Sequence, residues 1–330
     1  SKNESGTAKR LEKWFHDSNI HFQRKENNLW AVNKSFDPKK PTLLLNSHHD
    51  TVLPNKAYTR DPFRADISDG KLYGLGSNDA GGALVSLLAC FDYFYKNPNL
   101  KYNLLMVASA EEETAGDKSL RYLIPYLPKI DFAIIGEPTQ MELAIAEKGL
   151  VVFDIEIKGT PSHAAHPNKD NPLMKLPEII KKIENISFEK VSPILGPVKL
   201  TLTQINAGSQ HNVVPSEVKL VLDVRVNECY QNHEIDEVIQ KALPCNVKAR
   251  SLHLKSSSIS VDHPIVKAGE KLGRKTYGSP TLSDQASLSC PSLKLGPGDS
   301  TRSHSSDEFI YIKEIEEGIS IYINLLKQII

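Results

Sequence analysis

Apolar and polar positions alternate in short blocks along the chain, and the spacing inside each block predicts its element. Leu11, Trp14 and Phe15 recur at helical spacing, which predicts a helix over 7–15. Residues 29–32 and 42–45 are continuous apolar runs, too short for helices and bounded by polar residues, as buried strands are. A helix is expected over 81–95, a strand over 103–109, a helix over 119–127 and a strand over 132–136. Strands alternating with helices imply an α/β fold with a mostly parallel sheet covered on both faces. Ligands of such sheets gather beyond the carboxyl ends of the strands.

The pattern changes after Gly149. Residues 151–158 alternate as a half-buried antiparallel strand does, and a helix over 172–186 follows. Strands over 198–205 and 218–226, a helix over 234–243 and a strand over 247–254 come next. The order β-α-β-β-α-β is that of the split βαβ, or ferredoxin-like, sandwich. Beyond the polar stretch 255–258 the first texture returns, with helices over 264–272 and 312–327. We therefore expect one α/β domain in two parts, 1–150 and 261–330, interrupted by a smaller α+β domain over 151–260.

Composition narrows the class without naming it. The 330 residues carry 40 Lys+Arg against 40 Asp+Glu, so no concentrated positive field is available for nucleic acid or a polybasic membrane contact. No apolar run approaches the ~20 residues that span a bilayer. The four cysteines, Cys90, Cys229, Cys245 and Cys290, form no CxxC pair; neither a disulfide framework nor a thiolate zinc site is expected, and a reducing cytoplasm fits. The sequence opens at Ser1 without a methionine, which leaves a removed upstream segment open.

Four predicted strand ends deliver acidic or imidazole groups. One run ends in His48, His49 and Asp50; Asp79 lies in a glycine-rich turn before a helix; Glu111, Glu112 and Glu113 end a third strand; Glu137 ends a fourth. Any one of these clusters reads equally well as a helix cap or solvated loop. Four at successive ends of one sheet would repel strongly unless a cation sat among them. A dication with nitrogen and oxygen ligands meets that need, and zinc suits this donor set, with cobalt or manganese as substitutes. The glycine-rich turn is not a phosphate loop, because no GK[ST] or GxGxxG follows the strand.

The motifs His48-His-Asp50-Thr-Val, Gly76-Ser-Asn-Asp79, Glu111-Glu112-Glu113, Gly136-Glu137-Pro138-Thr139 and Gly296-Pro-Gly298 followed by His304 resemble the M20 metallopeptidase and aminoacylase family, in particular its acetylornithine deacetylase-like branch. The resemblance runs the length of the chain. It implies a zinc-hydrolase catalytic domain interrupted by a ferredoxin-like lid that also dimerises. His48, Asp79 and Glu137 would hold one zinc and Asp79, Glu113 and His304 the second, with Asp79 bridging. Asp50, two residues after His48 on an extended segment, would accept the second imidazole N–H. Glu112 would be the general base. The family usually shows Asp-Glu-Glu at 111–113, so a frame with Glu111 as base and Glu112 as ligand is the alternative. His49 faces the other side of the strand and is read as packed or hydrogen-bonded. The family also places a cis peptide at Asp79-Ala80.

In the insert, the stretch 159–167 resembles the family's lid loop, in which His163 would reach a partner subunit's site and stabilise an oxyanion. His166 has no implied role. Asn212 and Arg225 would bind the substrate α-carboxylate, Arg225 having a structural ion pair with Asp223 as its alternative reading. Ser283 and Asp284 would line the pocket. The activity implied is that of a cytoplasmic, homodimeric di-zinc amidohydrolase, in which metal-activated water removes an acetyl or succinyl group from ornithine, citrulline or a similar amino acid, in arginine biosynthesis. A dipeptidase, a general aminoacylase, a succinyl-diaminopimelate desuccinylase and a non-catalytic binding homologue are the alternatives.

Overall fold

A computed structural model of the protein describes residues 4–330, and the chain divides into two units. The first holds the residues up to Ala146 together with Ser258–Gly278 and Ser283–Ile330; the second holds Glu147–Ser257 and Ser279–Leu282. The short piece 279–282, expected within the second catalytic stretch, thus groups with the insert.

The first unit is built on a nine-stranded sheet. Its centre is parallel: Asn103–Ser109, Thr42–His48, Phe132–Ile135 and Ser292–Lys294 lie side by side in that order. Asn28–Val32 joins one side antiparallel and Leu143–Glu147 the other. The sheet is therefore mixed, where the sequence pattern suggests a mostly parallel one. Gln23–Lys25, Leu143–Glu147, Thr276–Ser279 and Ser292–Lys294 are strands of three to five residues, too short to carry a readable period.

Both faces of the sheet are covered, which explains its unbroken apolar runs. Leu43 and Leu45 enter one apolar cluster with Leu87 and Phe91 of the helix Gly82–Tyr95 and Tyr322 and Leu325 of the helix Ile312–Leu326. Leu44 points the other way, into a cluster with Trp30, Leu105, Leu120 and Leu123. The helix expected over 119–127 is a single turn, Leu120–Leu123, that tightens into Ile124–Tyr126, where Pro125 withholds a backbone donor.

The second unit realises the predicted β-α-β-β-α-β order with Gly149–Lys158, Pro172–Glu184, Lys199–Ala207, Glu217–Val226, Asn232–Ala242 and Asn246–Ala249. Its sheet runs Lys199–Ala207, Glu217–Val226, Gly149–Lys158, Asn246–Ala249, all antiparallel, which is the ferredoxin-like arrangement. Val151, Phe153, Ile155 and Ile157 alternate inward to meet Ile179 and Ile183 of one helix and Ile235 and Ile239 of the other. Among the described residues no helix is long and apolar enough to cross a membrane, and the four cysteines are free.

Candidate metal centre

Three strand ends and two loops of the first unit bring the predicted ligands together. His48 closes the strand Thr42–His48, opposite Ser109 in register. Its Nδ1 donates to the backbone oxygen of Asp50 at 3.0 Å, an atom that can only accept, and this turns Nε2 toward the acidic groups. Nε2 lies 3.3 Å from Asp79 Oδ1 and 4.0 Å from Glu137 Oε1. On the far side, His304 Nε2 lies 3.1 Å from Glu113 Oε2 and 3.6 Å from Asp79 Oδ2. Asp79 therefore offers one oxygen to each imidazole. Ligand atoms of His48, Asp79 and Glu113 fall within 4.8 Å of one another, close enough together for the group to hold a metal ion. The Asp79-Ala80 peptide is cis.

The three glutamates separate according to the turn that follows Ser109. Glu111 sits at φ 56°, and its carboxylate folds back to accept the Lys118 N–H at 2.8 Å. A side chain at Gly116 would collide with it, its Cβ only 2.2 Å from Glu111 Oε2. The N–H groups of Glu112 and Glu113 each stand 3.1 Å from one oxygen of Asp50. Asp50 thereby sets two consecutive residues at once. Its carboxylate is 3.5 Å from His48 Nδ1, farther than its own carbonyl, so the main-chain oxygen stands nearer the imidazole than the carboxylate does. The chain bends after His48 and brings the Asp50 carbonyl in first.

The charges respond to this crowding. Burial alone would lower the His48 imidazole, but hydrogen bonds to Asp50 and Asp79 and the charges of Glu112 and Glu137 hold it well above its ordinary value. Burial opposes ionisation of Asp79 too, yet His48, Ser303 and His304 keep its carboxyl below the usual range. Glu112 is pushed well up by burial and, against His48, by Glu137, Asp284 and Glu113. Glu113 rises through burial and the nearby Asp79. Such a set can stay ionised together only around added positive charge.

Other expected site residues take different places. Asp284 is buried, and its Oδ2 accepts from Asn46 at 2.9 Å and Ser109 at 2.6 Å. Ser283 is buried beside it and accepts the Gln285 N–H at 3.3 Å, starting a short 3-10 turn. Asp284 thereby braces the two strand ends from within. In the second unit, Arg225 forks onto Asp223 at 2.9 and 3.1 Å, the ion-pair alternative, because residues two apart on a strand share a face. His163 lies in a two-residue strand paired with Val213–Val214 and is exposed, and beside it the half-buried Asn212 accepts the Ala164 N–H at its backbone oxygen at 2.9 Å. His166 is exposed in the same loop. His49 is engaged at both nitrogens, with Asn27 O and Thr7 Oγ1 at 2.8 Å each. Nε2 donates to the Asn27 carbonyl, which can only accept, and burial lowers the pKa of the ring.

Sequence reasoning missed Glu308. It is 1% exposed, and its carboxylate accepts the N–H groups of Gly76, Asn78 and Asp79 at 2.9 Å each. Glu308 stands four residues after His304, but the polar run around it looks like a solvated loop. Only its position beneath the Asp79 turn reveals the role.

Comparison with known proteins agrees with this geometry. A sequence model described as Peptidase family M20/M25/M40 matches residues 44–328. A succinyl-diaminopimelate desuccinylase of Rickettsia felis is 27% identical over 334 residues, covering 92% of this chain and 87% of that protein. An M20 family metallo-carboxypeptidase from Sulfolobus solfataricus has a similar structure, with TM-score 0.78 and 16% identity over 98% of this chain and 94% of its own. A dinuclear metal binding peptidase of the M20 family from Bacillus subtilis aligns with TM-score 0.73 and 16% identity, over 98% and 91% of the two chains. At these identities the structures speak for the fold alone.

Proposed function

Because this chain belongs to peptidase family M20/M25/M40, we propose that it is a metal-dependent hydrolase of a linear amide that removes a succinyl group from an amino acid of the diaminopimelate type. The single observation that carries the hydrolase reading is the placement of Asp79, one oxygen toward His48 and the other toward His304. The donor set fits two divalent ions, and zinc is our proposed metal: His48, Asp79 and Glu137 would hold one, and Asp79, Glu113 and His304 the other. Ions held there would supply Lewis acidity for the amide carbonyl and lower the pKa of water toward about 7.

The residues of the chain supply the rest. Glu112, whose ionisation its neighbours resist, takes the proton of the attacking water at its carboxylate and hands it to the departing amine. Asp50 fixes where that carboxyl stands by binding the Glu112 N–H, and it fixes Glu113 by the same means. His163 of a partner subunit is our proposed donor to the developing oxyanion. His163→Ala should then lower kcat about 100-fold or more with metal content unchanged, and equal loss of metal and activity would rule this role out.

The acyl group is the finer question. The acetylornithine expectation and its place in arginine synthesis gain no support from the relatives, whereas the desuccinylase alternative does. N-succinyl-diaminopimelate, N-succinylornithine, N-acetylornithine and N-acetylcitrulline should be turned over side by side. The expected result is kcat/KM highest for the first, abolished by a chelator and restored by zinc. Preference for an acetyl substrate would reject the succinyl reading, and activity that survives full chelation would reject the hydrolase mechanism.

A further inference from the structure

The segment 296–308 bears His304 and also braces the loops that carry two other proposed ligands. A Cβ on Gly296 would lie 2.5 Å from the Glu137 oxygen, so only glycine lets the chain pass this close. The Gly296 carbonyl accepts the N–H groups of Thr139 and Met141 at 3.1 and 2.9 Å. Two residues on, a Cβ at Gly298 would stand 2.5 Å from Asn78 Oδ1, and Gly298 has φ +94°. That gap admits Asn78, which is fully buried and spends its whole amide on this segment. Its Nδ2 donates to Asp299 O at 3.0 Å and to Ser303 Oγ at 3.4 Å, and its Oδ1 accepts the Asp299 N–H at 3.0 Å.

Asn78 precedes Asp79 in the chain, and Ser303 precedes His304. The buried amide thus ties the shoulder of the bridging carboxylate to the shoulder of the late histidine. We propose that Asn78 is a positioning residue that sets the separation of Asp79 and His304, and so fixes the affinity of the second metal ion while leaving the first nearly untouched. The inference rests on the two-ion reading given above.

The asymmetry follows from how each ligand is held. His48 ends a sheet strand and its side chain is 2% exposed, and Glu137 stands two residues beyond the end of another strand. Asp79 keeps the three amide bonds from its turn to Glu308 when Asn78 is removed. The His304 side chain, by contrast, is 55% exposed and lies outside any helix or strand, so its place depends on the loop that Asn78 grips. Partners that orient metal ligands are worth about 10–100-fold in metal affinity when lost.

The test is a zinc titration of the full chain against a chromophoric chelator, for the wild type, Asn78→Ala and Asn78→Asp, with thermal melting of each metal-free protein. The wild type should take two ions. Asn78→Ala should bind the first within about threefold of wild type and the second about 10–100-fold more weakly. Asn78→Asp keeps the acceptor for the Asp299 N–H but sets an oxygen against the Asp299 carbonyl, and it should shift the second ion in the same direction. If the alanine variant melts early, the near-isosteric aspartate variant decides. Equal weakening of both ions, or an unchanged second ion, overturns the positioning role. A wild type that takes fewer than two ions overturns the two-ion reading itself, which is seen without any variant.

Discussion

A carboxyl that must take up a proton works best where its surroundings resist its ionisation, and Glu112 keeps such company, with burial, Glu137, Asp284 and Glu113 all pushing it upward. Glu112→Gln should cost about 100- to 10,000-fold in kcat with bound zinc unchanged. Glu111, occupied with the Lys118 N–H, should tolerate the same change with turnover near wild type. The reverse pattern would favour the alternative frame of the three glutamates. Asp284 offers a second test. Burial raises its carboxyl above the ordinary 3.8, so its contribution to stability is full below that value and is lost as pH rises through the folded-state value. In Asp284→Asn the side-chain oxygen can still accept from Asn46 and Ser109 while nothing ionises. The melting temperature of the wild type should therefore fall relative to the variant as pH climbs above 3.8; parallel curves would show that Asp284 is not an internal brace of this kind.

At the scale of elements, what could be read in advance was whatever repeats. The alternation of Val151, Phe153, Ile155 and Ile157 and the helical spacing over Gly82–Tyr95 declare themselves because burial imposes a period on many consecutive positions. Strands of three residues such as Ser292–Lys294 impose none, and the antiparallel margin of the large sheet stayed hidden for that reason. His48, Asp79, the three glutamates and Glu137 were legible because carboxylates and imidazoles at successive strand ends are costly without a purpose, whereas His304 was legible only through the resemblance of its motif to the family. Glu308 and Asn78 were not, because their partners are main-chain atoms far along the chain, and a main-chain donor leaves no signature in sequence. These contacts predict where zinc will be felt. Hydrogen exchange with and without zinc should show added protection in 48–50, 76–82, 111–116, 136–141 and 296–308, and little in Pro172–Glu184 or Asn232–Ala242 of the insert. Uniform protection of both units would contradict a metal centre built within the first unit alone.

At the scale of the whole molecule, each of the two units has its own hydrophobic interior, and the second unit is spliced into the first between Ala146 and Ser258. The chain leaves one core half-built, completes another, and returns. Because domains form in the order in which a ribosome delivers them, this detour makes the order of ligands matter. His48, Asp79, Glu113 and Glu137 all emerge before the insert does, while His304 follows it. Glu308, which holds the Asp79 turn, arrives later still. A nascent or truncated chain therefore carries four of the proposed acid or imidazole ligands without the Glu308 clamp on the Asp79 turn. The proposed centre can assemble only once residues 304–308 have followed the insert out of the ribosome, so hydrolytic competence would have to wait until the second unit has been made.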